Sequence, residues 1–391
     1  MAKKRNRIKI LNLHGDYFDY NLLAVIILLT CFGLVMLYST SAYVAELKFE
    51  GDDMYYFRKQ AFVSAGCIIG AILVSFLDYH ILYKYAGIIY IASVILMMLV
   101  QSPLGVTAKG ARRWLKIGVQ FQPSEIAKIA MIVAIPALIV KLGNMYKGLK
   151  PVIIGLTLAF GLFLCAWQFT DNLSTAIIIF GIACLILFVA HPKTRPFLIV
   201  AAIGAVLVVI LVLVLQASME DSENFRIQRV LVWLDPEKYS EEGGYQILQA
   251  LYALGSGGFF GKGLGNSTQK LGPVPEAQND MIFSIICEEL GIFGGAIVLL
   301  LFGYLIYRLF FIARNASDLF GSLMVTGIMA HISLQVILNI CVVINLIPTT
   351  GVTLPFVSYG GTSVLFLMAE MAIAMSVSRG IRFQKDVRRQ S

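Results

Sequence analysis

The carboxylates of residues 272–291, GPVPEAQNDMIFSIICEELG, are the first side chains of this sequence that could do chemistry. Glu276, Asp280, Glu288 and Glu289 lie close together in a chain that is 58% hydrophobic and only 14% charged. A carboxylate at the rim of a polar cavity can serve as a general base. Asp280, directly before an apolar run, is our candidate, with Glu276 as its electrostatic neighbour. The structural alternative is a helix N-cap, for which Asp is a preferred residue.

A second pair of charges, Glu125 and Lys128, occurs in the segment QPSEIAK at 122–128. The two side chains are three positions apart and therefore share one face of a helix. An ionisable side chain within a bilayer costs about 2.5–3.5 kcal/mol even on mild scales, so it usually faces a cavity or the bundle interior. We expect this pair to line a polar cavity. The alternative is a local pair whose charges neutralise each other.

Glu288 and Glu289 fall about two to three turns inside the apolar run that follows Asp280. At that depth an unpaired carboxylate is costly. We therefore expect both to act as structural intramembrane acids that brace the bundle. One would pair with Lys128 and the other would cap a neighbouring backbone.

The elements that position these residues must be membrane helices. A mean hydropathy of +0.80 leaves too little polar surface for a soluble globular protein. Apolar runs of about 20 residues are long enough to cross a bilayer as helices. The sequence predicts an all-α polytopic membrane protein, a single domain over 1–391 with about ten transmembrane helices. We place them near 21–42, 60–78, 85–102, 123–142, 150–169, 173–190, 196–215, 281–307, 320–346 and 356–378.

Lysine and arginine residues set the predicted orientation, because short cytoplasmic connections are enriched in them. The basic N-terminal segment 1–20, the HPKTR turn at 191–195 and the tail 379–391 fall on one side. An even number of spans then places both termini in the cytoplasm. This topology signal explains the net charge of +8, so no nucleic-acid partner is predicted.

Two connections on the predicted outer face depart from this charge pattern. The first, 103–122, carries Arg112, Arg113 and Lys116 where the orientation rule disfavours cations. The second, 216–280, is the longest, and loops of such length are usually functional or disordered. Its Tyr, Leu and Phe content favours a large extracytoplasmic loop between spans 7 and 8 that folds partly back onto the bundle.

Other chemistries have little support in the sequence. The six cysteines all fall in predicted spans, which argues against a disulfide framework. The four histidines are scattered, and neither an HExxH motif nor a Cys/His cluster occurs, so no metal site is predicted. The segment at 255–265 has the look of a phosphate loop but lacks the Ser or Thr that should follow the lysine.

The segment PTTGVTLPFVSYGG at 348–361 joins the last two predicted spans. Its prolines and glycines break helices and favour a re-entrant turn, which is tolerated at membrane depth only when it is buried in protein. A purely structural kink is the alternative.

Three blocks of the sequence resemble the signature blocks of the SEDS family, which comprises FtsW, RodA and SpoVE. They are GARRWLKIGVQFQPSEIAKIAMI at 110–132, GLGNSTQKLGPVPEAQNDMIFSIICEELG at 263–291 and IPTTGVTLPFVSYGGTS at 347–363. The blocks have the family's order and spacing, and the resemblance covers nearly the whole chain. The GLGNSTQKL segment is closer to FtsW and SpoVE than to RodA, and we favour the FtsW type.

The resemblance implies roles for matching positions. Asp280 corresponds to the family's essential aspartate and would be the catalytic base. The substrate-binding candidates come from the outer loops, the QPSExxK block and the last loop: Arg112, Arg113, Trp114, Lys116, Gln122, Ser124, Glu125, Lys128, Lys270, Glu276, Ser358 and Tyr359. Gln278 and Asn279 depart from the family's usual His-Thr, so any role of that histidine is lost or reassigned.

The activity implied is that of a peptidoglycan glycosyltransferase, which polymerises lipid II at the outer face of the bacterial cytoplasmic membrane during cell division. The implied partners are a class B penicillin-binding protein and other divisome membrane proteins. No cofactor is predicted, and a divalent cation at the pyrophosphate is left open. Two other functions fit a bundle with a polar cavity: a lipid II flippase and a scaffold without catalysis.

Overall fold

Long apolar helices build most of this structure. The computed structural model describes residues 17–108, 111–143, 148–218, 225–240, 243–271, 274–275 and 277–382. Each predicted span overlaps a helix of the structure. The helices are α1 (Tyr20–Lys48), α2 (Tyr55–Val74), α3 (His80–Leu99), α4 (Pro123–Leu142), α5 (Leu149–Phe169), α6 (Leu173–Ala190), α7 (Arg195–Ser218), α8 (Phe225–Leu234), α9 (Gly244–Gly257), α10 (Ile282–Asn315), α11 (Leu319–Val343) and α12 (Ser363–Ser378).

The length and apolarity of these helices fit a multi-pass membrane protein. Within the described ranges, seven helical segments are long and apolar enough to cross a bilayer: Tyr20–Lys48, Tyr55–Val74, His80–Leu99, Lys150–Phe169, Leu173–Ala190, Ile282–Asn315 and Leu319–Val343. Helix α12 has 16 residues and is therefore about 24 Å long, shorter than the bilayer core of about 30 Å. The predicted span 356–378 began too early, because Phe356, at a φ of 62°, lies in the loop before α12.

A small sheet in the 103–122 connection is an addition to the predicted all-α architecture. Its strands are β1 (Gly105–Ala108), β2 (Ala111–Ile117) and β3 (Val119–Phe121), paired antiparallel in the order β1-β2-β3. The pairing of β1 with β2 shifts register between Val106 and Thr107, so that Arg113 lies between the paired positions Arg112 and Trp114. Leu115 of the same strand is fully buried.

Helices α4 and α11 occupy the core of the bundle. Nearly every residue of α4 from Ala130 to Ala137 is buried, and the same holds for α11 from Leu323 to Ile328. Small residues permit this close packing, as in other membrane bundles. Helix α4 carries Glu125 and Lys128 near its N-terminal end, and α11 carries a row of polar residues along its length.

The long connection before α10 folds against the bundle, as the sequence predicts. Trp233 of α8 donates its indole N–H to the main-chain oxygen of Asn345, 3.0 Å away. The segment after α9 lies against a kink of α10 at Gly291, whose φ is 69°. A Cβ at Gly291 would lie 2.3 Å from the oxygen of Phe259, so only glycine permits this approach.

Candidate functional site

Asp280 lies at the start of α10, but it is not the helix N-cap. The helix begins at Ile282, and the N-cap position is Met281, whose side chain makes no capping hydrogen bond. The N-cap interpretation of Asp280 is therefore wrong. Instead, the main-chain oxygen of Asp280 accepts a hydrogen bond of 2.7 Å from Nδ2 of Asn339 in α11.

The loop between α11 and α12 approaches Asp280 and is held through its main-chain oxygens. A Cβ built at Gly351, whose φ is +67°, would lie 3.9 Å from Oδ2 of Asp280. Four carbonyls of residues 349–353, which we call the 349–353 segment, accept side-chain hydrogen bonds. The donors are Arg229 Nη1 to Thr349 at 3.1 Å, Ser174 Oγ to Thr350 at 2.9 Å, Asn339 Nδ2 to Val352 at 2.8 Å and Gln335 Nε2 to Thr353 at 2.9 Å.

These bonds explain how irregular backbone is tolerated next to membrane helices. Carbonyl groups without helical partners must be satisfied by the surrounding protein at such a depth. Here α6, α8 and α11 supply the donors. The segment predicted as a re-entrant turn is thus a partly buried, hydrogen-bonded loop beside Asp280, with residues 354–358 fully in the interior.

Arg229 of α8 joins the candidate site, and our sequence interpretation had not assigned it a role. The pKa of Arg229 is lowered from its ordinary value, first because the guanidinium is buried and then because the positive charge of Arg113 is near. The negative charge of Asp280 opposes this shift. Two guanidinium groups and one carboxylate therefore share one electrostatic environment at this end of the bundle.

The sequence contained a weak signal for Arg229. Residues 225–234, FRIQRVLVWL, form an amphipathic helix within a long connection on the predicted outer face. A cation on such a helix can reach the bundle, but the sequence does not indicate which cavity it faces. Arg113, in contrast, was already a substrate-binding candidate, because the orientation rule disfavours cations in its connection.

The candidates that neighbour Arg113 on β2 have contacts of their own in the sheet. Arg112 donates from Nη2 to the main-chain oxygen of Ser102 at 2.5 Å and thereby closes the sheet onto the end of α3. Lys116 is exposed, and Trp114 is half-buried in β2 opposite Val106.

Glu125 and Lys128 form an ion pair in the first turns of α4. Nζ of Lys128 lies 2.8 Å from Oε1 of Glu125, and their side chains are 3% and 12% exposed, respectively. Ser124 is buried next to them, and Gln122 stands in the extended N-cap position. The local pair has thus formed, and a role in lining a substrate cavity stays a prediction.

Glu288 and Glu289 brace the bundle, but neither pairs with Lys128 as we had expected. Oε1 of Glu288 lies 2.6 Å from Nζ of Lys262, and Oε1 of Glu289 lies 2.7 Å from Nζ of Lys270. The reason is the segment 258–271, which folds beside the α10 kink: the backbone N–H groups of Lys262 and Gly263 donate to the carbonyls of the two glutamates.

Lys270 is one of the two cations that pair with these glutamates. Its ammonium donates to Ser39 Oγ at 2.9 Å and to Glu289 at 2.7 Å, and the residue is buried. A buried ammonium that is already neutralised by a carboxylate is a poor ligand for pyrophosphate. Lys270 therefore braces this part of the bundle, and its assignment to substrate binding stays a prediction.

Ser358 and Tyr359 close the loop that precedes α12. Oγ of Ser358 accepts the backbone N–H of Leu354 at 2.8 Å, and Ser358 is buried. The backbone N–H of Tyr359 donates to the carbonyl of Gln278 at 2.9 Å, two positions before Asp280. Glu276 lies outside the described residues. Among the described residues, His, Cys, Asp and Glu form no group of three or more that could hold a metal ion.

A cavity of about 890 Å³ lies away from this site. It lies at the opposite end of α11 and is lined by His80, His191, Asp318 and Phe320, among others. Asp318 and Asn339 are 21 positions apart, about 31 Å along the helix. The chemistry-bearing side chains and this cavity therefore belong to different ends of the bundle.

Comparison with known proteins gives matches over nearly the whole chain. The FtsW/RodA/SpoVE family model, described as cell cycle protein, matches residues 19–382. Stage V sporulation protein E of Bacillus subtilis (strain 168) is 37% identical over 374 residues, covering 93% of this chain and 98% of that protein. The probable peptidoglycan glycosyltransferase FtsW of the same strain is 35% identical over 379 residues, covering 94% and 92%.

Solved structures agree with these matches. The structure described as "Structural coordination of polymerization and crosslinking by a peptidoglycan synthase complex" aligns with a TM-score of 0.76 at 25% identity and covers 95% of this chain and 100% of that one. The crystal structure of the rod shape determining protein RodA of Thermus thermophilus shares the fold, with a TM-score of 0.65, 23% identity and coverage of 94% and 99%. The chain therefore belongs to the SEDS family of FtsW, RodA and SpoVE proteins.

Proposed function

We propose that this SEDS protein is a peptidoglycan glycosyltransferase that polymerises lipid II. The observation that carries the proposal is the grouping of Asp280 with Arg113 and Arg229 beside the 349–353 segment. A carboxylate can take a proton from a sugar hydroxyl, and two guanidinium groups can bind a pyrophosphate. The relatives named probable peptidoglycan glycosyltransferase FtsW support the same reaction class.

The reaction needs a single displacement with inversion. The donor sugar carries its lipid pyrophosphate in the α configuration, and the product bond is β1,4. Asp280 accepts the proton of the acceptor's 4-hydroxyl while that oxygen forms a bond to the donor's anomeric carbon. The bond from this carbon to the pyrophosphate breaks, and the electron pair leaves with the lipid pyrophosphate. Arg113 and Arg229 stabilise the negative charge that develops on this leaving group.

The proposal includes the place and the partners of the reaction. The site faces outward if both termini are cytoplasmic, as the distribution of Lys and Arg predicts. The peptidoglycan synthase complex to which the fold is similar coordinates polymerization and crosslinking. We therefore propose a class B penicillin-binding protein, which supplies crosslinking, as the partner, together with other divisome membrane proteins.

A reconstituted assay tests the enzyme against its two alternatives. The protein is purified with its penicillin-binding protein, supplied with labelled lipid II, and compared with Asp280→Ala and with Asp235→Ala, an exposed acid of the same connection. We expect the wild type and Asp235→Ala to form glycan polymer, and Asp280→Ala to form none while folding and the complex persist.

Other outcomes would overturn parts of this proposal. Normal polymerisation by Asp280→Ala removes the base assignment. If no variant polymerises lipid II but the wild type moves labelled lipid across vesicles, the flippase function is right. If the protein does neither and only recruits its partner, it is a scaffold.

We further propose that the process served is cell division, as in FtsW. The GLGNSTQKL segment favours the division and sporulation types over RodA. Relatives of both of these types match at similar identity. Expression in Bacillus subtilis separates them: rescue of an FtsW depletion is expected, whereas rescue confined to a strain lacking stage V sporulation protein E would overturn the division role.

A further inference from the structure

We propose that Asn339 is a positioning residue that holds Asp280 in its catalytic place. This inference rests on the proposed function, because it assigns Asn339 a task only if Asp280 is the base. The side chain of Asn339 is 1% exposed, and its single amide group donates to two acceptors. One is the main-chain oxygen of Asp280, at 2.7 Å, and the other is that of Val352, at 2.8 Å.

The two acceptors belong to the two sides of the candidate site. Asp280 comes from the approach to α10, and Val352 follows Gly351, the residue that faces the Asp280 carboxylate. The N-cap residue of α10, Met281, makes no capping hydrogen bond with its side chain. The bond from Asn339 is a tertiary one, which ties the approach to α10 to the neighbouring helix α11.

Asn339 is the last of three polar residues on one face of α11. His331, Gln335 and Asn339 follow each other at intervals of four, and all three are buried. His331 Nδ1 lies 2.8 Å from Oε2 of Glu370 in α12, and Gln335 Nε2 donates to Thr353 at 2.9 Å. This polar face thus fastens α12, the 349–353 segment and Asp280 to one helix.

The expected changes in stability and in catalytic rate distinguish a positioning role from simple stabilisation. Side-chain hydrogen bonds between membrane helices contribute on average only a small amount to stability. A displacement of about 1 Å in a catalytic group can lower the rate by about 100-fold. A bond that contributes little to folding can therefore contribute much to catalysis when its acceptor is the backbone of the base.

The test is Asn339→Leu, which keeps the number and branching of the side chain's non-hydrogen atoms and removes both hydrogen bonds. Two matched variants accompany it. Gln335→Met removes the bond to Thr353 on the same face of α11 without touching Asp280, and Asn315→Leu removes an amide bond to Phe311 at the far end of α10. Polymerisation of labelled lipid II gives kcat and KM, thermal denaturation gives stability, and hydrogen exchange reports on residues 277–283.

We expect Asn339→Leu to lower kcat by about 100-fold while KM stays within about twofold and the melting temperature within a few degrees. Exchange at residues 277–283 should rise in this variant alone. Gln335→Met should lose less than about tenfold, and Asn315→Leu should match the wild type.

Three results would overturn the inference: a wild-type kcat for Asn339→Leu, an equal loss in Gln335→Met, or a loss that follows the melting temperature. Asp280→Ala in the same assay separates a failure of the positioning role from a failure of the proposed catalytic base. An active Asn339→Leu beside an inactive Asp280→Ala overturns only the positioning role. An active Asp280→Ala overturns the proposed base, and the inference with it.

Discussion

Arg229 reaches the candidate site from a helix that is remote from it in sequence. Its guanidinium donates to the carbonyl of Thr349, 120 positions away, and shares an electrostatic environment with Arg113 and Asp280. A cation in this place can both hold the loop and receive the pyrophosphate. The two tasks are compatible, because a guanidinium has five N–H donors and its hydrogen bond to the carbonyl of Thr349 needs one of them.

Arg229→Gln should therefore lower kcat/KM for lipid II polymerisation by about 10- to 100-fold. The estimate follows from a charged hydrogen bond, worth about 1.5–3 kcal/mol. Lys238→Gln, an exposed change in the same connection, should stay within about twofold. Initial rates with labelled lipid II measure both. Equal rates for wild type and Arg229→Gln would remove Arg229 from the site.

At the scale of single residues, the sequence indicated the type of partner more often than its identity. It predicted that buried acids such as Glu288 and Glu289 need cations, because an unpaired charge is costly in a membrane. It predicted the wrong cation, since the segment 258–271 folds beside α10 and brings Lys262 and Lys270 within reach. Such a fold-back depends on tertiary packing, which periodicity does not encode.

The buried pair of Lys270 and Glu289 gives a prediction about this fold-back. Glu289→Gln should destabilise the protein by about 3–5 kcal/mol, because the Lys270 ammonium stays buried without its carboxylate. The double variant Lys270→Met with Glu289→Gln should recover much of this loss. Thermal denaturation in detergent measures the difference. A double variant less stable than Glu289→Gln would contradict a charge-pairing role.

At the scale of elements, apolar runs predicted the helices well, and the connections poorly. Helix positions follow from length and hydropathy, which a membrane imposes on every span. The sheet at 105–121 was not predicted, because its strands are short and the longest of them, β2, carries three cations. The loop before α12 was recognised as non-helical from its prolines and glycines, yet its contact with Asp280 depends on donors from three other helices.

Gly351 gives this loop a testable requirement. Its φ of +67° disfavours every residue with a side chain by about 1–2 kcal/mol, and the added Cβ would face Oδ2 of Asp280. Gly351→Ala should therefore lower kcat for polymerisation by at least about tenfold. Gly66→Ala, in an open position of α2, should leave the rate unchanged. An unaffected Gly351→Ala would show that the loop does not need this conformation for catalysis.

At the scale of the whole molecule, the two ends of the bundle differ in chemistry. One end holds Asp280, Arg113 and Arg229, and the other holds Asp318 beside the cavity of about 890 Å³. Burial raises the pKa of Asp318, but hydrogen bonds from His80, Tyr79 and the backbone of Gly321 outweigh it, so that the pKa lies below its ordinary value. Asp318 thereby caps α11 and joins it to α3.

The lowered pKa of Asp318 predicts the acid sensitivity of this end. A carboxylate whose folded pKa is lowered stabilises the protein above its unfolded pKa of about 3.9, and this stability is lost as the pH falls further. Asp318→Asn should lower the melting temperature at pH 7 and flatten its decline below about pH 4. Asp235→Asn, on an exposed acid, should keep the wild-type decline. An unchanged pH profile for Asp318→Asn would contradict the ionised cap.

The hydrogen bonds of the 349–353 segment determine where this protein can tolerate change. The bonds reach carbonyl oxygens, which every amino acid carries, so the side chains of Thr349, Thr350, Val352 and Thr353 are not what the bundle holds. The donors are side chains, and most replacements cannot copy them. A saturation screen should find the strictest constraint at Ser174, Arg229, Gln335 and Asn339. All four lie on helices outside the loop, and Ser174 and Arg229 lie more than a hundred positions from it in sequence.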